Sequence, residues 1–126
     1  MKTRLIAYWI LTALVAFAIG AGGVVDLIGG EQVMEGMRHL GYPDYFARIL
    51  GVWKIAGAIV ILLPRTALLK EWAYAGIVFD LTGASASHAS VGDPMQNVLI
   101  PVVILALVVG SWLLRPASRR LTPSPV

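Results

Sequence analysis

Four long apolar stretches alternate with shorter polar segments along the chain. A helix of roughly 20 residues crosses the hydrocarbon core of a bilayer, about 30 Å thick. Stretches near that length lie at residues 5–25, 45–63, 71–89 and 95–114, and the first carries no charge. The pattern predicts an all-α integral membrane protein, a four-helix bundle with four transmembrane helices in a single domain over residues 1–121.

The boundaries of these stretches carry local helix signals. Pro64 disfavours helix in the residue before it, so the second span should end there. Asp93 followed by Pro94 is typical of a helix start, in which the aspartate caps free amides. Between the first two spans, apolar residues recur at helical spacing from Glu31 to Leu40 and predict a short amphipathic helix in the first outer loop. Residues 122–126, with two prolines, are predicted to be disordered.

Composition supports lipid as the solvent. Of the 126 residues, 58% are hydrophobic and 13% are charged, and the mean hydropathy is +0.79, more apolar surface than so small a soluble domain can bury. A cleaved signal peptide is the alternative for the first stretch, but the stretch is long for one and three more follow. The net charge of +3 does not indicate a nucleic-acid partner, because the basic residues flank apolar runs and form no stripe.

The basic residues also predict orientation. Lysine and arginine beside membrane spans are retained in the cytoplasm. In a four-span arrangement one side collects nearly all of them, with Arg38 as the main exception, which predicts that both termini are cytoplasmic. The residues on that side are Lys2, Arg4, Arg65, Lys70, Arg115, Arg119 and Arg120.

Ionisable residues inside spans are costly and often mark function. Lys54 and Asp80 each lie about nine positions into their spans, which run in opposite directions, so they should meet at similar depth as an ion pair. Asp80→Ala should then destabilise the bundle more than removal of both charges. Arg48 and His88 should lie together near the outer boundary.

Small and polar residues share one face of the third span. Gly76, Asp80, Ala84 and His88 are spaced by four, with Ser87 beside them. One interpretation is structural: the charges pin helix register and the glycines pack against a neighbour. The other is a polar cavity, lined also by Trp53, that opens outward, in which Asp80 accepts a proton or hydrogen bond and His88 titrates near neutral pH.

Other chemistry receives little support. The chain has no cysteine, so a redox role would need a partner or a bound cofactor. Neither His39 nor His88 has a metal-ligand partner at helical spacing, so no metal site is predicted. The glycines near the end of the first span lack the strand and helix context of a dinucleotide site.

The segments LGVWKIAGAIVILLP at residues 50–64 and KEWAYAGIVFDLTGASASH at 70–88, with Gly92, Asp93 and Pro94, resemble the DoxX-like family of small bacterial membrane proteins. The resemblance covers most of the chain and implies a four-helix inner-membrane bundle. The founding name belongs to a thiosulfate:quinone oxidoreductase subunit, and relatives are linked to oxidative stress and sulfur metabolism. No catalytic assignment comes with the polar positions that match, and thiol chemistry would need cysteines that this chain lacks.

Three functional hypotheses remain open, and none settles whether the protein is an enzyme. The leading one is a redox accessory subunit or small lipophilic-ligand binder with Lys54, Asp80 and His88 lining the pocket and a quinone or lipid as the ligand. The second is a proton-coupled transporter or pore, which would need an oligomer at this size. The third is a structural subunit that assembles with a partner membrane protein.

Overall fold

The computed structural model describes residues 2–121 and contains only helices in that range. The five α-helices are α1 (Lys2–Ile28), α2 (Glu31–Leu40), α3 (Tyr45–Leu62), α4 (Ala67–Ser90) and α5 (Met95–Leu113), followed by a short 3-10 helix, Ala117–Arg119. The all-α prediction is confirmed, and so is a short helix between the first two long ones. The tail predicted to be disordered lies outside the described residues.

Three of the long helices, α1, α3 and α5, are long and apolar enough to cross a membrane, judged by length and composition. Helix α4 is longer than α3 but more polar, because it carries Lys70, Glu71 and Asp80. The exterior of the bundle is apolar: Phe17 is 76% exposed and Ile28 is 71% exposed. Exposure of such a surface to water is unfavourable, whereas exposure to lipid is not. The chain is a membrane protein.

The four long helices surround one apolar core. Helix α1 packs against α3 and α5, α4 packs against α5, and the contact between α3 and α4 closes the ring less tightly. Helix α2 rests on the end of α3. Each long helix contributes to the core, whose buried residues are Val15, Ile19, Ile61, Tyr74, Ile77, Leu81 and Val108.

Helices α1 and α3 approach each other through two glycines. A Cβ atom added at Gly51 would lie 2.7 Å from both the carbonyl oxygen of Gly23 and the amide nitrogen of Leu27. A Cβ added at Gly23 would lie 2.8 Å from the Cβ of Lys54. Because neither glycine has a side chain, the two backbones can touch, as is common in membrane helix packing. This contact sets the height of α3 relative to α1.

Buried hydroxyls join three helices toward the end of the bundle that holds both chain termini, hereafter the terminal end. Ser111 on α5 lies 2.6 Å from the Thr12 hydroxyl on α1 and 2.7 Å from the Tyr74 hydroxyl on α4. All three residues are buried. Polar groups in an apolar interior need such partners, so the cluster holds the three helices in one register.

Cations cover the carboxyl end of α3 at the terminal end. The Arg119 guanidinium donates to the carbonyls of Ile61, Leu62 and Leu63. The fully buried ammonium of Lys70 donates to the Leu63 carbonyl and, at 2.6 Å, to the Thr66 hydroxyl. Positive charge is favourable at the carboxyl end of a helix. Side-chain donors therefore satisfy carbonyls at this helix end.

Candidate functional site: a polar groove between α3 and α4

The contact between α3 and α4 leaves a cavity of about 790 Å³. Its walls are mainly apolar and aromatic. A Cβ added at Gly76 or Gly83, both on the α4 wall, would meet nothing within 4 Å. These glycines therefore leave open space and do not pack against a neighbouring helix. Trp53 and Phe79 also line the cavity and are 70% and 73% exposed, so it is a groove that opens sideways.

A lysine and two aspartates form the charged part of the groove. The Lys54 ammonium on α3 donates to Oδ2 of Asp26 on α1 at 2.8 Å and lies 4.0 Å from Oδ2 of Asp80 on α4. All three side chains line the groove and are between 15% and 21% exposed. Lys54 thus bridges two carboxylates, hydrogen-bonded to one of them.

The glycine contact explains why Asp26 reaches Lys54. Gly23 lies against the Cβ of Lys54, and Asp26 follows three residues later, one helical turn nearer to α2. The flexible lysine side chain spans that turn. The depth argument brought Lys54 near Asp80, but Asp26 is the closer partner. The signal that could have found it is its position just beyond the glycines of a helix that continues to Ile28.

The other candidate residues divide between the groove and elsewhere. Trp53, Ser87 and His88 line the groove with Lys54 and Asp80. Arg48 does not: it is exposed, and its guanidinium lies near Gly29, 3.4 Å from a Cβ built there. Lys54 follows Arg48 by six positions, which turns the two side chains about 120° apart around the helix axis. The expected meeting of Arg48 and His88 therefore does not occur.

Helix α2 covers one end of the groove and is tied to the α4–α5 connection. Met37 and Leu40 of α2 line the groove. His39 Nε2 lies 2.5 Å from Oδ1 of Asp93, and His88 Nδ1 lies 2.6 Å from Oδ2 of the same carboxylate. We call this trio, His39, Asp93 and His88, the α2 latch. Just after α2, the Tyr42 hydroxyl lies 2.6 Å from that of Ser87, a second link between the same two parts of the molecule.

The latch also corrects a sequence-based expectation. Asp93 was expected to cap α5, but no capping hydrogen bond from a side chain is present and α5 begins at Met95. The carboxylate bonds the two histidines instead, and hydrogen bonds from His88 and then His39 hold the pKa of Asp93 below its ordinary value. Gly41, with φ of 88°, allows the chain to turn after α2.

The groove contains hydrogen-bonding and charged groups but no recognisable catalytic arrangement in the described part of the chain. Over residues 2–121, no three side chains of histidine, cysteine, aspartate or glutamate are grouped to hold a metal ion. The groove can bind an apolar molecule with a polar head, because its walls are mainly apolar and its charged side chains lie together at one level.

Comparison with known proteins gives a family and an uncharacterised relative. A family model described as the DoxX-like family matches residues 10–111. The chain is also 28% identical over 102 residues to the uncharacterized protein YdgD of Bacillus subtilis (strain 168), covering 73% of this chain and 86% of that protein. No solved structure matches.

Proposed function

This chain belongs to the DoxX-like family, and we propose that it binds a lipophilic small molecule with a polar head in the groove between α3 and α4. The observation that carries the proposal is a cavity of about 790 Å³ with charges confined to one level. Ligand sites in proteins commonly have such a volume, with mostly apolar walls and a few polar groups that orient the ligand.

The ligand would enter from the bilayer. The groove opens sideways beside Trp53 and Phe79, and these exposed rings lie on the apolar exterior of the bundle. Its end nearest α2 is covered by Met37 and Leu40. A molecule already dissolved in lipid therefore reaches the groove without crossing water, and its head would meet Asp26, Lys54 and Asp80.

The same proposal includes the finer membrane topology. Helix α4 acts as a fourth span, because Asp80 faces the groove and Glu71 pairs with Arg115 instead of lipid. Both termini lie in the cytoplasm of a bacterial inner membrane, because the terminal end carries most of the arginines and lysines. These charges would also retain that end beside anionic lipid head groups.

A redox role is the narrower form of this hypothesis. A quinone has the required shape, and the Lys54 ammonium could donate a hydrogen bond to its carbonyl oxygen. Electrons would have to come from a partner subunit, since the chain has no cysteine to supply them. The cavity favours binding over the purely structural hypothesis, whereas no specific observation favours a transporter.

Blocking the groove tests the proposal. We expect protein purified in mild detergent to retain a lipophilic molecule, detected by extraction and mass spectrometry. Gly76→Leu should reduce its amount several-fold, because the new side chain fills space that is open in the structure. Ala106→Leu is the matched control: Ala106 is exposed on α5 and does not line the groove.

Two results would contradict the proposal. The first is the absence of any retained molecule in folded wild-type protein. The second is equal retention by Gly76→Leu and Ala106→Leu when both variants elute as folded protein. Identification of the retained molecule as a quinone would support the redox hypothesis. Identification of another lipid would contradict the redox hypothesis but would still support the proposed binding site.

A further inference from the structure

The charges that line the groove do not balance. Among residues 2–121, the carboxylates that line the groove are Asp26 and Asp80, and the lysine between them, Lys54, is the single cationic side chain there. Lys54 is already hydrogen-bonded to Asp26, and Asp80 receives no hydrogen bond from any side chain or backbone amide among residues 2–121. His88 lies on the same wall, but its Nδ1 faces the Asp93 carboxylate. Asp80 is thus the carboxylate that can still accept a hydrogen bond or pair with a further cation.

One lysine only partly compensates two carboxylates in such surroundings. The oxygens of Asp80 are shielded by apolar walls, and an isolated ionised carboxylate in an apolar medium either takes up a proton or finds a cation. Arg48 cannot serve, because its guanidinium lies near Gly29 and outside the groove. The missing positive charge must therefore come from solvent as a proton or from the ligand.

We propose that the groove selects lipophilic cations, with the ammonium head of an amphiphilic amine placed against the Asp80 carboxylate and its apolar chain lying along α4. This inference rests on the proposed binding function and names the ligand class. Trp53 and Phe79 line the same groove, and aromatic rings favour ammonium groups through their π faces. The groove continues past Trp72 to Leu69, about 16 Å from Asp80 along the helix.

The exchange conserves charge. When an ammonium ion binds, it pairs with the Asp80 carboxylate, and any proton held by that carboxyl group leaves to solvent. No bond in the ligand forms or breaks. A neutral alcohol with the same chain lacks the charge, and a fatty-acid anion would be repelled by the surplus carboxylate.

The test compares head groups on one chain length. Protein in nanodiscs of zwitterionic lipid is titrated with dodecyltrimethylammonium, dodecanol and dodecanoate. Binding is followed by the change in tryptophan fluorescence, to which Trp53 and Trp72 in the groove contribute. Affinities are corrected for partition into protein-free nanodiscs. We expect the ammonium to bind about tenfold more tightly than the alcohol. Asp80→Asn should remove that preference, and Glu35→Gln, which removes an exposed acid on α2, should keep it.

The outcomes separate this inference from the proposed function. If the alcohol binds as tightly as the ammonium to the unmodified protein, the inference is overturned while the binding function stands. If Asp80→Asn keeps the full preference in folded protein, Asp80 is not the recognising group and the inference is likewise overturned. If none of the three probes binds, the proposed function itself fails. The comparison on unmodified protein does not depend on the stability of the variant.

Discussion

Helix α3 meets its two long neighbours in opposite ways. On the α1 side, Gly51 and Gly23 bring two backbones into contact. On the α4 side, Gly76 and Gly83 face open space, and a cavity of about 790 Å³ separates the helices. Glycines therefore have opposite effects at the two interfaces: they permit close packing at one and leave open space at the other. A glycine permits a close approach only where a partner helix fills the room it leaves.

Lys54 lies where these two interfaces join. Its Cβ rests against Gly23 on the packed side, and its ammonium reaches into the groove between Asp26 and Asp80. The packed interface thus positions a charge for the open one. This arrangement is typical of binding sites, in which a rigid packing contact positions the groups that contact the ligand.

The largest expected effect is at the packed interface. Gly51→Ala places a Cβ 2.7 Å from backbone atoms of α1, and because backbone cannot move aside as a side chain can, we expect a loss of about 3 kcal/mol in the free energy of unfolding. Unfolding by a denaturing detergent, followed by circular dichroism, measures it.

Gly76→Ala is the matched control on the open side, where the added methyl group meets nothing within 4 Å. Its free energy of unfolding should stay within about 0.5 kcal/mol of wild type. Equal losses in the two variants would mean that α1 and α3 are not in the close contact described here.

The second prediction concerns the charges between the interfaces. Asp26→Asn removes the charged acceptor at 2.8 Å from Lys54, and we expect a loss of about 2 kcal/mol. In a double-mutant cycle with Lys54→Met, Asp26 should show the larger coupling energy and Asp80, at 4.0 Å from the ammonium, the smaller one. Unfolding free energies of the single and double variants supply the cycle.

This prediction replaces the one made from depth alone, in which Asp80 was the partner of Lys54 and its loss left the lysine without a counter-charge. With Asp26 still hydrogen-bonded to Lys54, Asp80→Ala leaves no lone cation. A larger coupling for Asp80 than for Asp26 would restore the earlier expectation and contradict the geometry.

The smallest expected effect is at the α2 latch. The folded-state pKa of Asp93 is lowered by its histidine partners, so its carboxylate contributes stability above the ordinary aspartate pKa of about 4, and this contribution is lost as the pH falls through the lowered value. Amide hydrogen exchange in α2, corrected for intrinsic rates, should therefore be slow at about pH 6 and should quicken as the pH falls below about 4.

Asp93→Asn should make α2 exchange faster at the higher pH and should weaken the dependence on pH. Glu35→Gln, on the exposed surface of α2, controls for the loss of one acid. If the Asp93 variant keeps the pH dependence of the wild type, the latch does not hold α2 over the groove.

Much of the fold was predictable because the length of a helix, and the depth of a residue within it, depend on the number of residues along the helix axis. Hydrophobic length predicts the long helices to within a few residues, and apolar spacing predicts α2, which runs from Glu31 to Leu40. The similar depth of Lys54 and Asp80 also follows from the rise per residue. Family membership follows from the motifs, and the match over residues 10–111 confirms it.

What the sequence by itself determined is therefore the set of helices, their apolar exterior and the shared level of Lys54 and Asp80. Only the tertiary structure decided that Asp26 is the near partner of Lys54, that Arg48 lies outside the groove and that Asp93 holds two histidines. The physical reason is that rise along a helix is constant, whereas the direction in which a side chain points depends on how each helix is rotated against its neighbours. That rotation is set by contacts between residues far apart in the chain, such as Gly23 with Gly51.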